Sequence, residues 1–320
     1  MYNFDIYQGN GRQSRFELPT YQHLGKLDEP SGYIASDYLR DAVNVALALG
    51  QPLLLTGEPG TGKTHLAKSI AWELGLGEPL VFNAKTDSAA KDLFYRYDSL
   101  GHFHHTQIKK TDIEVNDYIH FEALGKAILS SYDDANVRAL LPQELQHIGA
   151  QKSVVLIDEI DKATRDFPNN ILHEIENMSF MVSETGKKYS IQDQRFRPIV
   201  ILTSNSEKNL PDAFLRRCVY YHIPFPEKDM LREIVNKRLQ LSEGFRQRML
   251  EAAIDHFTEI RAKKLRKRPA TAELLAWIHI LDKLEVNLEV PTPEQLQKLA
   301  STYSILAKNP EDLKRLREDL

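Results

Sequence analysis

Residues 57–65 read Gly57-Glu58-Pro59-Gly60-Thr61-Gly62-Lys63-Thr64-His65, and Gly57, Gly62, Lys63 and Thr64 satisfy the spacing G-x-x-x-x-G-K-[ST]. That spelling also arises by chance, so its neighbours decide its meaning. Upstream, Pro52-Leu53-Leu54-Leu55-Thr56 is an apolar run of buried-strand length. Downstream, Leu66, Ile70 and Leu74 share one face of a helix that Gly75 stops. Strand, glycine loop and helix in this order predict a phosphate cradle. Glycines let the backbone close around a polyphosphate, and the first amides of the helix point the positive end of its dipole at it. Lys63 would meet the β- and γ-phosphates, the Thr64 hydroxyl a magnesium ion, and the other loop residues complete the nucleotide contacts. The alternative, a glycine turn beside a surface lysine, explains the spelling but not the context.

Working outward, Ser36-Asp37 opens a helix with Leu39, Val43, Ala46 and Leu47 on one face, ended by Gly50. Leu80-Val81-Phe82-Asn83 is a second strand, and the order strand, helix, strand predicts an α/β fold with a parallel sheet covered on both faces. Residues 85 to about 150 interrupt the alternation with a mixed insertion that contains a loop cluster, His102, His104 and His105. No spacing to other ligands makes that cluster a metal site. Val154-Val155-Leu156-Ile157 resumes the sheet, Asp166 and Pro168 open a helix running through Asn177, and Ile199-Val200-Ile201-Leu202-Thr203 is a further buried strand. Between them, residues 180–191 read as a hairpin around Thr185-Gly186. Beyond Pro224-Phe225-Pro226 only helices are expected, at 227–242, 245–264, 271–285, 293–306 and 310–319. The domain reading is an N-terminal arm over 1–30, an αβα domain over 31–225 and a helical domain over 226–320.

The 320 residues include 41 basic and 45 acidic side chains, net charge −4, which makes no global case for binding nucleic acid or an anionic membrane. Cys218, the single cysteine, excludes an internal disulfide and is expected as a small apolar residue at a strand start. No apolar run reaches membrane-spanning length, and the first residues lack a signal-peptide order, so a cytoplasmic location is expected. Trp72 and Trp277 fall within helical patterns as core or interface residues.

A phosphate loop binds, whereas hydrolysis needs a metal ligand and a group that positions water. Asp158-Glu159 follows four apolar residues and so sits at a strand's C-terminal end, where ligands of open α/β sheets bind. Asp158 suits magnesium, directly or through water, and Glu159 can orient or deprotonate the attacking water.

With GEPGTGKT, VVLIDEIDKA, ILTSN and PDAFLRRC in this order, the chain resembles an AAA+ ATPase, and most of all the MoxR family, relatives of the magnesium-chelatase ATPase subunit. The resemblance covers about residues 30–290. It implies a P-loop αβα sandwich with an insertion in the helix after the second strand, a pre-sensor-1 hairpin and an all-helical lid. The implied cofactors are ATP or ADP and Mg2+. Asn205 in Thr-Ser-Asn resembles sensor 1; its alternative is a cap on the following turn. Arg217 best matches the arginine finger that enters a neighbouring subunit's site, with Arg216 as the alternative, because the family more often carries an acidic residue there. Arg268 resembles sensor 2, with Arg266 and Lys267 leaving the register open. The run from Arg261 to Arg268 holds six basic residues in eight; a solvated helix end is the commoner reading of such a run, with a patch for nucleic acid or an acidic partner as the alternative. Tyr33-Ile34 stands where the family receives adenine. The resemblance further implies a homo-oligomeric ring, a hexamer, that remodels proteins alongside a von Willebrand factor A domain partner. Motor action on nucleic acid and nucleotide-gated assembly are the competing functions.

Overall fold

The computed structural model describes residues 7, 9, 11, 28–108, 114–146, 148–206 and 210–320. The arm expected over 1–30 lies almost entirely outside them. Two compact units are present: Ala35–Gly57 with Lys63–Ile223, and Glu58–Gly62 with Pro224–Leu320 and the described residues up to Ile34.

The first unit contains α1 (Asp37–Leu49), β1 (Leu53–Thr56), α2 (Lys63–Glu73) and β2 (Leu80–Asn83). The insertion follows as β3 (Tyr95–Tyr97), α3 (Ser99–Ile108), β4 (Ile119–Phe121), α4 (Ala123–Leu129) and the single turns α5 (Ala135–Arg138) and α6 (Gln143–Gln146). β5 (Val154–Asp158), α7 (Phe167–Asn177), β6 (Ser179–Val182), β7 (Lys187–Ser190), β8 (Ile199–Ser204), α8 (Asp212–Leu215) and β9 (Val219–His222) complete it. A five-stranded sheet runs β2-β5-β8-β1-β9, every pair parallel. Its three central strands are buried along nearly their whole length, as a parallel sheet covered on both faces requires. Helices α1, α2 and α4 pack against it, giving the expected αβα architecture. Parallel pairing puts Thr56, Asp158 and Ser204 together at one edge of the sheet and Pro52, Ser153 and Ile199 at the other.

β3 and β4 pair antiparallel, as do β6 and β7, the hairpin turning at Thr185 and Gly186. Phe180 of the hairpin stacks on Phe94 with ring centroids 5.1 Å apart, and the Tyr95 hydroxyl accepts from the Ser183 amide at 3.0 Å. Insertion and hairpin therefore share one core.

The second unit is built from α9 (Lys228–Arg238), α10 (Glu243–Arg248), α11 (Leu250–Ala262), α12 (Thr271–Leu284), α13 (Pro293–Leu306) and α14 (Pro310–Glu318). Its core gathers Phe257, Trp277, Leu281 and Tyr303, and the Trp277 indole donates to Thr302 Oγ1 at 2.8 Å. Several sequence expectations need correction. The helix expected over 227–242 ends at Arg238, because Leu239 turns extended and buries itself with Leu241. The one expected over 245–264 is two helices that meet at Met249, the first capped by Ser242. Leu74 lies past the end of α2 and is 48% exposed, and Trp72 is 57% exposed. The histidine cluster lies on α3 rather than in a loop, with His105 Nδ1 2.6 Å from the Tyr118 hydroxyl.

Candidate active site

The phosphate loop folds as its glycines dictate. Gly60 and Gly62 have φ of +79° and +89°, a region that L side chains avoid. A Cβ on Gly60 would stand 2.6 Å from the Ala270 Cβ, and one on Gly62 would stand 3.1 Å from the Tyr33 ring. Thr61 closes the turn by donating its hydroxyl to the Glu58 carbonyl at 2.9 Å, while Glu58, Pro59 and Gly60 are exposed. Lys63 is 7% exposed and donates to the Gly57 carbonyl at 2.8 Å. Burial holds its ammonium below the ordinary lysine value, and Asp158, Asp161 and Glu159 oppose that shift. Lys63 opens α2, with Thr64 and the half-buried His65 in its first turn.

At the same edge of the sheet, the Thr64 hydroxyl donates to Asp158 Oδ2 at 3.1 Å. The Thr203 hydroxyl donates to Asp158 Oδ1 and accepts the Glu159 amide at 2.9 Å. One buried hydroxyl thus joins the two carboxylate positions at the end of β5 to strand β8. Glu159 takes a left-handed backbone, φ 55°, uncommon for a residue with a side chain and often met at functional sites. Its carboxylate pairs with Lys162. Asn205 follows β8 directly, exposed, and its amide donates to Asp161 Oδ1 at 3.1 Å. Thr64 and Asp158 offer a hydroxyl and a carboxylate oxygen side by side, a hard-oxygen pair that fits magnesium.

Arg217 lies elsewhere. It forms a 2.7 Å ion pair with Glu176 at the end of α7, and the two side chains are about half exposed, 48% and 49%. Both line a cavity of about 540 Å³ together with Arg216, Lys152, Arg197 and Pro52. Pro52 and Lys152 precede β1 and β5, so this cavity sits at the sheet edge opposite Asp158. Arg197 donates to the carbonyls of Gly50, Ile175 and Glu176, tying down the ends of α1 and α7, and burial lowers its pKa. Burial pushes the Cys218 thiol up to about 12.

In the helical unit, Tyr33 packs on Gly62, as its backbone carbonyl accepts from Lys237 at 3.4 Å, and Ile34 is half-buried. Arg268 is exposed and makes no hydrogen bond or ion pair among the described residues. The arginine of the basic run that reaches the phosphate loop is Arg261. It is 10% exposed, pairs with Glu58 at 2.8 Å, lies 3.4 Å over the Phe225 ring centroid and donates to the Pro269 carbonyl. Sequence reasoning missed Arg261, Thr203 and Lys162. Thr203 alone left a signal: a hydroxyl inside an apolar strand must find a partner.

Among the described residues no helix is long and apolar enough to cross a membrane, and no cluster of three or more His, Cys, Asp or Glu is arranged to hold a metal ion. The family model for the ATPase family associated with various cellular activities (AAA) matches residues 53–226. No curated protein matches the chain.

Proposed function

This chain belongs to the ATPase family associated with various cellular activities, and we propose that it hydrolyses ATP to ADP and phosphate at sites shared between copies in a ring. On this reading it is a MoxR-type remodeller of proteins, a hexamer working with a von Willebrand factor A domain partner. The observation that carries the hydrolytic part is the hydrogen-bonded set Thr64, Asp158, Thr203 and Glu159 beside the buried Lys63. The loop amides and Lys63 bind the polyphosphate. Thr64 and Asp158 would hold magnesium, which supplies charge neutralisation at the phosphate oxygens when bound. Glu159 orients the attacking water and takes its proton, and its amide, fixed on Thr203, sets where the carboxylate can reach. Asn205, tied through Asp161 to the same loop, holds the water or the terminal phosphate, and the family resemblance assigns Arg268 as sensor 2 and Tyr33 with Ile34 as the adenine wall.

Support for a shared site comes from Arg217. It occupies the sheet edge opposite Asp158, about one strand length away, where an arginine that serves another copy's site rather than its own would stand. In the basic run, Arg261, Lys263 and Arg266 are ion-paired with Glu58, Asp319 and Glu311, which weighs against a nucleic-acid patch there. The test is magnesium-dependent ATP turnover per subunit across protein concentration, for wild type and for mixtures with Arg217→Ala. The reading expects activity that rises with concentration and is depressed by the mutant subunits. Turnover indifferent to both would leave a self-contained ATPase.

A further inference from the structure

The basic run that begins in the last turn of α11 contains one arginine whose surroundings differ from those of its neighbours. Arg261 is nearly buried, its guanidinium carbon lies 3.4 Å over the Phe225 ring centroid, and its Nη2 reaches Glu58 Oε2 at 2.8 Å. Glu58 is the second residue of the phosphate loop. The loop's backbone is further constrained beside it by Ala270 against Gly60 and by Tyr33 against Gly62. A carboxylate in that position is an electrostatic anomaly: the loop gathers amides and a lysine to receive a polyanion, and Glu58 sets a negative charge next to them.

We propose that Arg261 is a positioning residue for nucleotide binding, neutralising Glu58 and drawing its carboxylate aside so that the loop presents only positive potential to the phosphates. This rests on the reading of residues 57–64 as a nucleotide site. Arg261 touches no phosphate; it acts through Glu58. Phe225 and the Pro269 carbonyl hold the guanidinium in a single orientation, so little conformational freedom is lost when the pair forms. Without Arg261 the Glu58 charge loses this neutralising partner and weakens binding of the polyanion.

The experiment is calorimetric titration of the full chain with magnesium–ADP, using wild type, Arg261→Ala, Glu58→Gln and the double variant. Arg261→Ala is expected to weaken binding about tenfold, an effect that shrinks in high salt. Glu58→Gln alone is expected to tighten binding slightly. Adding Glu58→Gln to Arg261→Ala is expected to restore most of the lost affinity, although the double variant lacks the same contacts to Phe225 and Pro269. Wild-type affinity in Arg261→Ala overturns the proposal. So does a loss that Glu58→Gln leaves unchanged, because Arg261 would then act only by packing. If wild type itself fails to bind ADP, the nucleotide reading falls and this proposal with it.

Discussion

Thr203 is fully buried, and its hydroxyl is committed in both directions, donating to Asp158 and accepting from the Glu159 amide. Thr203→Val keeps the shape and removes the hydroxyl. It leaves the half-buried Glu159 N–H without its partner, at a cost of about 1 kcal/mol in stability. Because Glu159 loses its anchor, kcat for ATP should fall by roughly tenfold or more, with KM changing little and Thr203→Ser recovering most of the rate; steady-state ATPase assays check this. A second expectation concerns Cys218, whose thiol is pushed up to about 12 by burial. At pH 8 it should react far more slowly with iodoacetamide than a free thiol does and gain ordinary reactivity on denaturation, as mass spectrometry can follow. The role of Thr203 was only half legible. Its place in an apolar strand was plain, but the partners of its hydroxyl come from β5, 44 and 45 residues away in the chain.

At the scale of elements, α11, α12 and α13 meet around His256, whose ring lies nearly parallel to those of Trp277 and Tyr303, with Nε2 2.6 Å from the Tyr303 hydroxyl. Burial holds its imidazole below the ordinary histidine value. The neutral ring is therefore the folded form, and protonation favours unfolding. The stability it contributes is full above about pH 6.5, the unfolded value, and is lost as pH falls from there through the folded pKa. Urea denaturation of the helical unit should show a falling midpoint between pH 7 and pH 5, a slope that His256→Gln reduces. Helix α1 allows a simpler check: Ser36 accepts from the Leu39 amide at 3.3 Å, and Ser36→Ala should cost about 1 kcal/mol. Both ends of that helix were legible, since Ser36 and Gly50 are local signals. The end of α9 at Arg238 was not, because it goes with burial of Leu239 and Leu241 in the helical core.

For the whole molecule, two separate hydrophobic cores, one around the sheet and one among the helices, lead to an expectation about unfolding. The apo chain should unfold in more than one calorimetric transition. Magnesium–ADP at about a hundred times its dissociation constant should stabilise the binding-competent fold by about 2.7 kcal/mol, and Lys63→Ala should abolish that shift. Retention of the shift in Lys63→Ala would remove the loop from nucleotide binding.

Local order along the chain was enough to determine the αβα class and the order of strand, loop and helix, and to single out Lys63, Thr64, Asp158 and Glu159 as candidates. Those signals are short-range: strand-length apolar runs, glycines at a turn that needs positive φ, and carboxylates at a strand end. Only the tertiary structure decided which hydroxyl ties Asp158 to β8, that Arg217 lies at the opposite sheet edge, and that Arg261 rather than Arg268 pairs with the phosphate loop. The physical reason is that a polar or charged group pairs with whatever the fold brings within about 3 Å, and in all three cases that neighbour is distant in sequence.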